Sequence, residues 1–202
     1  MVFVLGLTGS IGMGKSATAD LFRSFGVPVY DADATVHDLY RNEAVVPISK
    51  HFPNTVKDNI IDREALSAEV LDSPEKMRLL ESLVHPLVWE KERVFVKAAA
   101  SASHRLVVLD SPLLLETGGE ARCDAVAVVS APAHIQRQRV LSRAGMTEEK
   151  LKSILAKQIP DREKRLKAHF IIDSSRGLDD ARLEVEAIIR CLSGRTGKGN
   201  PA

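Results

Sequence analysis

The stretch Gly9-Ser-Ile-Gly-Met-Gly-Lys15-Ser16 constrains this chain more than any other feature. It fits the spacing G-x-x-x-x-G-K-[ST]. The apolar run 2–7 precedes it and a helical pattern over 16–25 follows, with Ala17, Leu21, Phe22 and Phe25 at helix spacing. Glycines at 9, 12 and 14 permit turns that a side chain hinders, so successive N–H groups can face one anion. The following helix aims its N-terminus at the same place. On this reading Gly9, Ile11, Gly12, Met13, Gly14, Lys15, Ser16 and Ala17 form a phosphate cradle. Lys15 would neutralise β and γ phosphates, and the Ser16 hydroxyl would ligate Mg²⁺. The alternative is a glycine-rich strand-to-helix turn with Lys15 merely exposed; the match of motif and context argues against it.

Apolar runs that are continuous rather than alternating recur at 2–7, 27–30, 106–109, 125–129 and 170–172. Such runs mark strands covered on both faces, as in a parallel sheet. Helical patterns lie between them, so the expected fold class is α/β, a five-stranded parallel sheet flanked by helices. No strand is read between residues 34 and 102, where helix starts are plain. Asp62 precedes Arg-Glu-Ala-Leu, Ser73-Pro74-Glu75 orders a cap, a first-turn proline and an acid, and Pro86 can open a further helix. The expected organisation is therefore a core of 1–33, 103–133 and 169–192, a helical insertion at 34–102, a second helical insertion at 134–168, and a Gly-rich disordered tail at 193–202.

The 28 Lys and Arg nearly balance the 27 Asp and Glu, for a net charge of +1, which excludes a uniformly basic nucleic-acid binder. The balance is not local. Residues 134–169 hold ten basic against four acidic side chains, a net +6 that leaves −5 on the rest. Arg139 and Arg143, four apart, would share a helical face and could clamp phosphoryl oxygens beneath a lid; the alternative for either is a solvated arginine. Few aromatics lie near this segment, so no nucleic-acid partner is expected. No apolar stretch reaches the roughly 18 residues of a membrane span, and the N-terminus lacks a basic leader. Two cysteines, Cys123 and Cys191, make no disulfide framework, which fits a reducing, cytoplasmic setting.

In a parallel sheet, ligands gather beyond the carboxyl ends of the strands. Acids stand at three such ends: Asp31 and Asp33, Asp110, and Asp173. Asp110 suits a magnesium-coordinating acid acting through water. If residues 31–33 are extended, Asp31 and Asp33 face one side, where one could accept a proton from a hydroxyl and the other orient metal water. The alternative is that they cap a helix.

These motifs together resemble the dephospho-CoA kinase family across nearly the whole chain. Gly6-Leu-Thr-Gly9 leads into the loop as in that family, followed in order by Asp31-Ala-Asp33, Leu83-Val-His-Pro86, Pro112-Leu-Leu-Leu-Glu116, and a lid marked by Gln136, Arg139, Arg143 and Gln158. The resemblance implies a P-loop NTPase-like fold similar to nucleoside monophosphate kinases. It also implies Mg²⁺-dependent transfer from ATP to the ribose 3′-hydroxyl of dephospho-CoA, the last step of coenzyme A synthesis. It implies catalytic roles for Lys15, Asp33, Arg139 and Arg143, with Asp33 as base. Acceptor contacts are implied at Asp33, His85, Pro86, Leu114 and Glu116, with the helical insertion binding the acceptor. The chain departs from the family at His169 and Ser174, where Asp and Asn are frequent, and at Ala17, where Thr is common.

Overall fold

In the computed structural model, which describes residues 1–197, the continuous apolar runs become strands; those at 3–8, 106–110 and 125–130 are buried on both faces, whereas Ile171 in the run 170–172 is exposed, contrary to the expectation for that run. β1 (Phe3–Thr8) sends Phe3, Leu5 and Leu7 into the core cluster shared with Ala19, Leu21 and Phe22 of α1 (Lys15–Ser24). The opposite face carries Gly6. A methyl group there would lie 2.5 Å from Leu114 Cδ2 and 2.8 Å from Cys123 Sγ, so only glycine fits without repacking. β2 (Val29–Asp31) follows and runs directly into α2 (Ala32–Leu39).

Next come α3 (Val45–His51), β3 (Val56–Lys57), β4 (Ile60–Ile61), α4 (Arg63–Val70) and the 28-residue α5 (Pro74–Ser101). β5 (Leu106–Asp110), β6 (Ala125–Ser130), α6 (Ala133–Leu141), α7 (Glu148–Leu155), α8 (Asp161–Lys167), β7 (Phe170–Asp173) and α9 (Leu178–Leu192) complete the chain. The main sheet has the order β2-β5-β1-β6-β7, with β1 parallel to β5 and β6, and β6 parallel to β7. β6 divides as β1 does: Ala125, Ala127 and Val129 join the first cluster, while Val126 and Val128 pack with Leu114 and Leu115 on the other face. Because β1 sits between β5 and β6, the chain leaving β1 enters the crevice where the strand order switches.

Two compact units emerge among the described residues: one of 1–30 together with 96–197, the other of Asp31–Phe95. The second unit has its own core, including Leu39, Ile48, Ile61, Leu66, Leu80 and Val84. Asp62 caps α4 by accepting from Glu64 N and Ala65 N, both at 3.1 Å, as its sequence context predicts.

Three expectations are corrected. Residues 34–102 are not purely helical: β3 and β4 form an antiparallel hairpin whose two turn residues, Asp58 and Asn59, both take positive φ (49° and 60°). Pro86 does not open a helix but lies inside α5, because Leu80 and Val84 before it and Leu87 and Val88 after it join one cluster. Asp31 and Asp33 do not straddle an extended residue, since α2 begins at Ala32. Within the expected tail, Ser193 N donates to Ile189 O and Gly197 packs against Val2 and Asp124. Its remainder, 198–202, lies outside the described residues.

Candidate active site

The loop after β1 is shaped by two left-handed glycines, Gly12 (φ 78°) and Gly14 (φ 90°), conformations that L side chains rarely adopt. A side chain at position 12 would also meet Val140 Cγ2 at 2.5 Å. Protein side chains grip the outer turn of the loop. Ile11 N–H donates to Gln158 Oε1 (3.1 Å), while Gln136 Nε2 donates to Ile11 O (2.8 Å). Met13 N–H closes a turn on Ser10 O, and the Met13 carbonyl accepts from Ser174 Oγ (2.8 Å). Of the residues expected to form the cradle, Ile11 and Met13 thus direct their N–H groups to protein acceptors, and they seat the loop.

The donors remaining at the helix start are Gly14, Lys15, Ser16 and Ala17. Thr18 N–H is the first to find an acceptor within the helix, at Gly14 O, so the four before it are the orphan donors of a helix N-terminus. Lys15 Nζ lies 2.7 Å from Asp110 Oδ1, with side-chain exposures of 15% and 4%. Sheet register explains the meeting: Leu7 pairs with Asp110, so the carboxyl ends of β1 and β5 lie side by side. An ammonium, a nearly buried carboxylate and the Ser16 hydroxyl are therefore gathered around one helix start.

Basic groups border the same loop. Arg139 donates from Nη1 to Ser174 Oγ (2.8 Å) and from Nη2 to the Ser174 carbonyl (2.7 Å). Arg143 does not share α6 with Arg139 as expected, since α6 ends at Leu141 and Ser142 is its C-cap. Both arginines nonetheless line a cavity of about 340 Å³ whose apolar wall includes Ala17, Leu21, Leu178 and Ala181. Asp173 acts as a cap, accepting from Ser175 N–H at 2.8 Å. Hydrogen bonds from Ser175 hold its carboxyl below the usual range, with Arg176 and Arg165 adding to the effect.

The other expected site residues are distributed as follows. Asp31 caps α2 through Ala34 N–H (2.9 Å), and Asp33 is exposed in the first turn of that helix. His85 stacks at a tilt on Trp89 in α5, their ring centroids 5.7 Å apart, and the neighbouring Pro86 is exposed. Leu114 is 2% exposed and packs beneath Gly6, so it serves the core rather than a ligand surface. Glu116 accepts from Ile159 N–H and pairs with Lys164. Among the described residues, no three His, Cys, Asp or Glu side chains gather as a metal cluster. No helix there is long and apolar enough to cross a membrane, and neither Cys123 nor Cys191 is in a disulfide. Sequence reasoning left Ser174 and Lys164 without individual roles, although Ser174 bonds both the loop and Arg139, and Lys164 is fully buried against Glu116.

The family model for dephospho-CoA kinase matches residues 3–180. A dephospho-CoA kinase of Mesorhizobium japonicum is 53% identical over 97% of this chain and 100% of its own length. Among solved structures, TT1252 from Thermus thermophilus matches with a TM-score of 0.83 at 34% identity, covering 95% of this chain and 98% of that one. A dephospho-CoA kinase from Campylobacter jejuni matches with a TM-score of 0.65 at 26% identity and the same coverage. By sequence and by fold, this chain belongs to the dephospho-CoA kinase family.

Proposed function

We propose that the chain transfers the terminal phosphoryl group of ATP to the ribose 3′-hydroxyl of dephospho-CoA, giving coenzyme A and ADP in the cytoplasm. The observation that carries this reading is the helix start of α1, where four orphan N–H groups and Lys15 converge in a member of that family. Phosphoryl transfer needs little covalent help from protein; positioning and charge neutralisation do most of the work. Gly14, Lys15, Ser16 and Ala17 supply the donors for the β and γ phosphates. The cavity beside Arg139 and Arg143 has an apolar wall suited to the flat base of the donor.

Ser16 and Asp110 offer two hard oxygens, a donor set that fits Mg²⁺, which keeps several waters and takes the remainder from phosphates. When bound, Mg²⁺ offsets charge on the phosphate oxygens. Arg139, held by the hydroxyl and carbonyl oxygens of Ser174, is pre-oriented to face the transferring group, with Arg143 as its companion. Asp33 accepts the proton of the acceptor hydroxyl, while His85 and Pro86 contribute to the acceptor site in the helical unit. No nucleic acid or membrane takes part.

A coupled ADP-release assay tests the reading with ATP and Mg²⁺ against dephospho-CoA, AMP, shikimate and no acceptor. Turnover is expected with dephospho-CoA alone; comparable rates with AMP or shikimate would overturn the assignment. Replacing Ser174 by alanine removes the hydroxyl shared by Met13 O and Arg139. The KM for ATP should rise about tenfold, the cost of roughly one lost charge-assisted hydrogen bond. Steady-state kinetics with unchanged ATP parameters would separate Ser174 from the donor site.

A further inference from the structure

Lys164 is one of the ten basic side chains of the lid segment, yet its side chain is 0% exposed. A lysine is buried only when paired, because an unpaired ammonium away from water is very costly. Its Nζ lies 2.8 Å from Glu116 Oε1 and 3.1 Å from Oε2, and it donates to Pro112 O at 3.1 Å. Thr8 Oγ1, at the end of β1, donates to the same carbonyl at 3.2 Å. Glu116 Oε1 also accepts Ile159 N–H at 2.9 Å. The segment after β5 is therefore fastened to α8 and to the turn before it. The residue preceding Ile159 is Gln158, whose Oε1 holds Ile11 N–H of the phosphate loop.

We propose that Glu116 and Lys164 form a buried strut that fixes the α7–α8 turn so that Gln158 seats the phosphate loop. Glu116 is then a positioning residue for the ATP side of the reaction, not a contact for the acceptor. Its oxygens are already committed to Lys164 and Ile159, and its side chain is 13% exposed. A buried ion pair between well-placed partners adds little net stability, but it fixes geometry and tolerates loss of one member poorly. Lys164, although counted in the +6, is thereby removed from the charges that face an anion.

The inference rests on the phosphotransfer reading above, and the test keeps the two apart. Glu116→Gln keeps the shape and one acceptor oxygen but strands the ammonium. It should raise the KM for ATP about tenfold and lower kcat, with the KM for dephospho-CoA unchanged within twofold. Amide exchange followed by NMR should accelerate at Ile11 and Ile159 by at least tenfold. Adding Lys164→Met to Glu116→Gln removes the stranded charge and should recover most of the ATP affinity; an acceptor contact could not be rescued in this way. Gln158→Ala removes only the final link and should reproduce the ATP effect if Glu116→Gln fails to fold. A rise confined to the KM for dephospho-CoA, unrescued by Lys164→Met, would overturn the strut, as would unchanged Ile11 exchange in Gln158→Ala. Were the wild-type protein inactive on dephospho-CoA, the functional reading would fail alone, because ATP binding and amide exchange still report on the strut.

Discussion

Lys15→Ala is expected to lower turnover about a thousandfold or more while the far-UV circular dichroism spectrum stays that of the wild-type protein. A unit charge about 4 Å from a phosphate, at the effective dielectric of a partly exposed site, interacts by about 4 kcal/mol, equivalent to roughly three decades in rate. Removing one well-placed donor from a charge-stabilising site costs a similar amount in other enzymes. All four orphan N–H groups, at positions 14 to 17, remain in the variant and keep residual phosphate binding. The substitution has a second consequence, because Asp110, only 4% exposed, loses an ammonium 2.7 Å away. That loss should cost about 1–3 kcal/mol of stability, seen as a lower thermal midpoint. A domain with a margin of about 5–15 kcal/mol stays folded at assay temperature, so the two effects separate. Near-normal turnover in Lys15→Ala would remove the loop from the mechanism.

The sheet was legible in the sequence because strands buried on both faces appear as unbroken apolar runs, and Leu5 to Leu7 and Ala125 to Val129 need no finer pattern. The phosphate loop was legible because glycine spacing reports backbone conformation directly, as the positive φ of Gly12 and Gly14 shows. The β3–β4 hairpin was not. Two-residue strands carry too little periodicity, and the one usable signal was Asp58-Asn59 between Val56-Lys57 and Ile60-Ile61, a pair suited to two successive left-handed residues. Pro86 misled because local propensity reads it as a helix start, whereas the apolar stripe running through it decides the outcome. The buried state of Lys164 was hidden because its partner Glu116 lies 48 residues earlier. In sequence, a lysine within Asp-Arg-Glu-Lys-Arg-Leu-Lys looks like any solvated one.

Asp33→Asn is expected to reduce kcat by about 10²–10⁴ while ATP binding, measured by titration calorimetry, stays within twofold. Asparagine preserves size and hydrogen bonding but cannot take the proton of an attacking hydroxyl. The structure supplies an internal control, because the neighbouring acid has a different local task. Asp31 caps α2 through Ala34 N–H, and asparagine caps a helix about as well as aspartate does. Asp31→Asn should therefore retain most activity. Asp33 sits in the first turn of α2, where its charge also favours the helix by about 0.3–1 kcal/mol. That is too small to account for a loss of two decades, which requires about 2.8 kcal/mol. A large fall in kcat with a thermal midpoint lowered by no more than a few degrees would assign the effect to proton transfer rather than to helix stability. Near-normal transfer by Asp33→Asn would place the base elsewhere. Equal losses in the two variants would point to the α2 start as a structural unit, since only a role in proton transfer distinguishes a free first-turn carboxylate from a cap two residues before it.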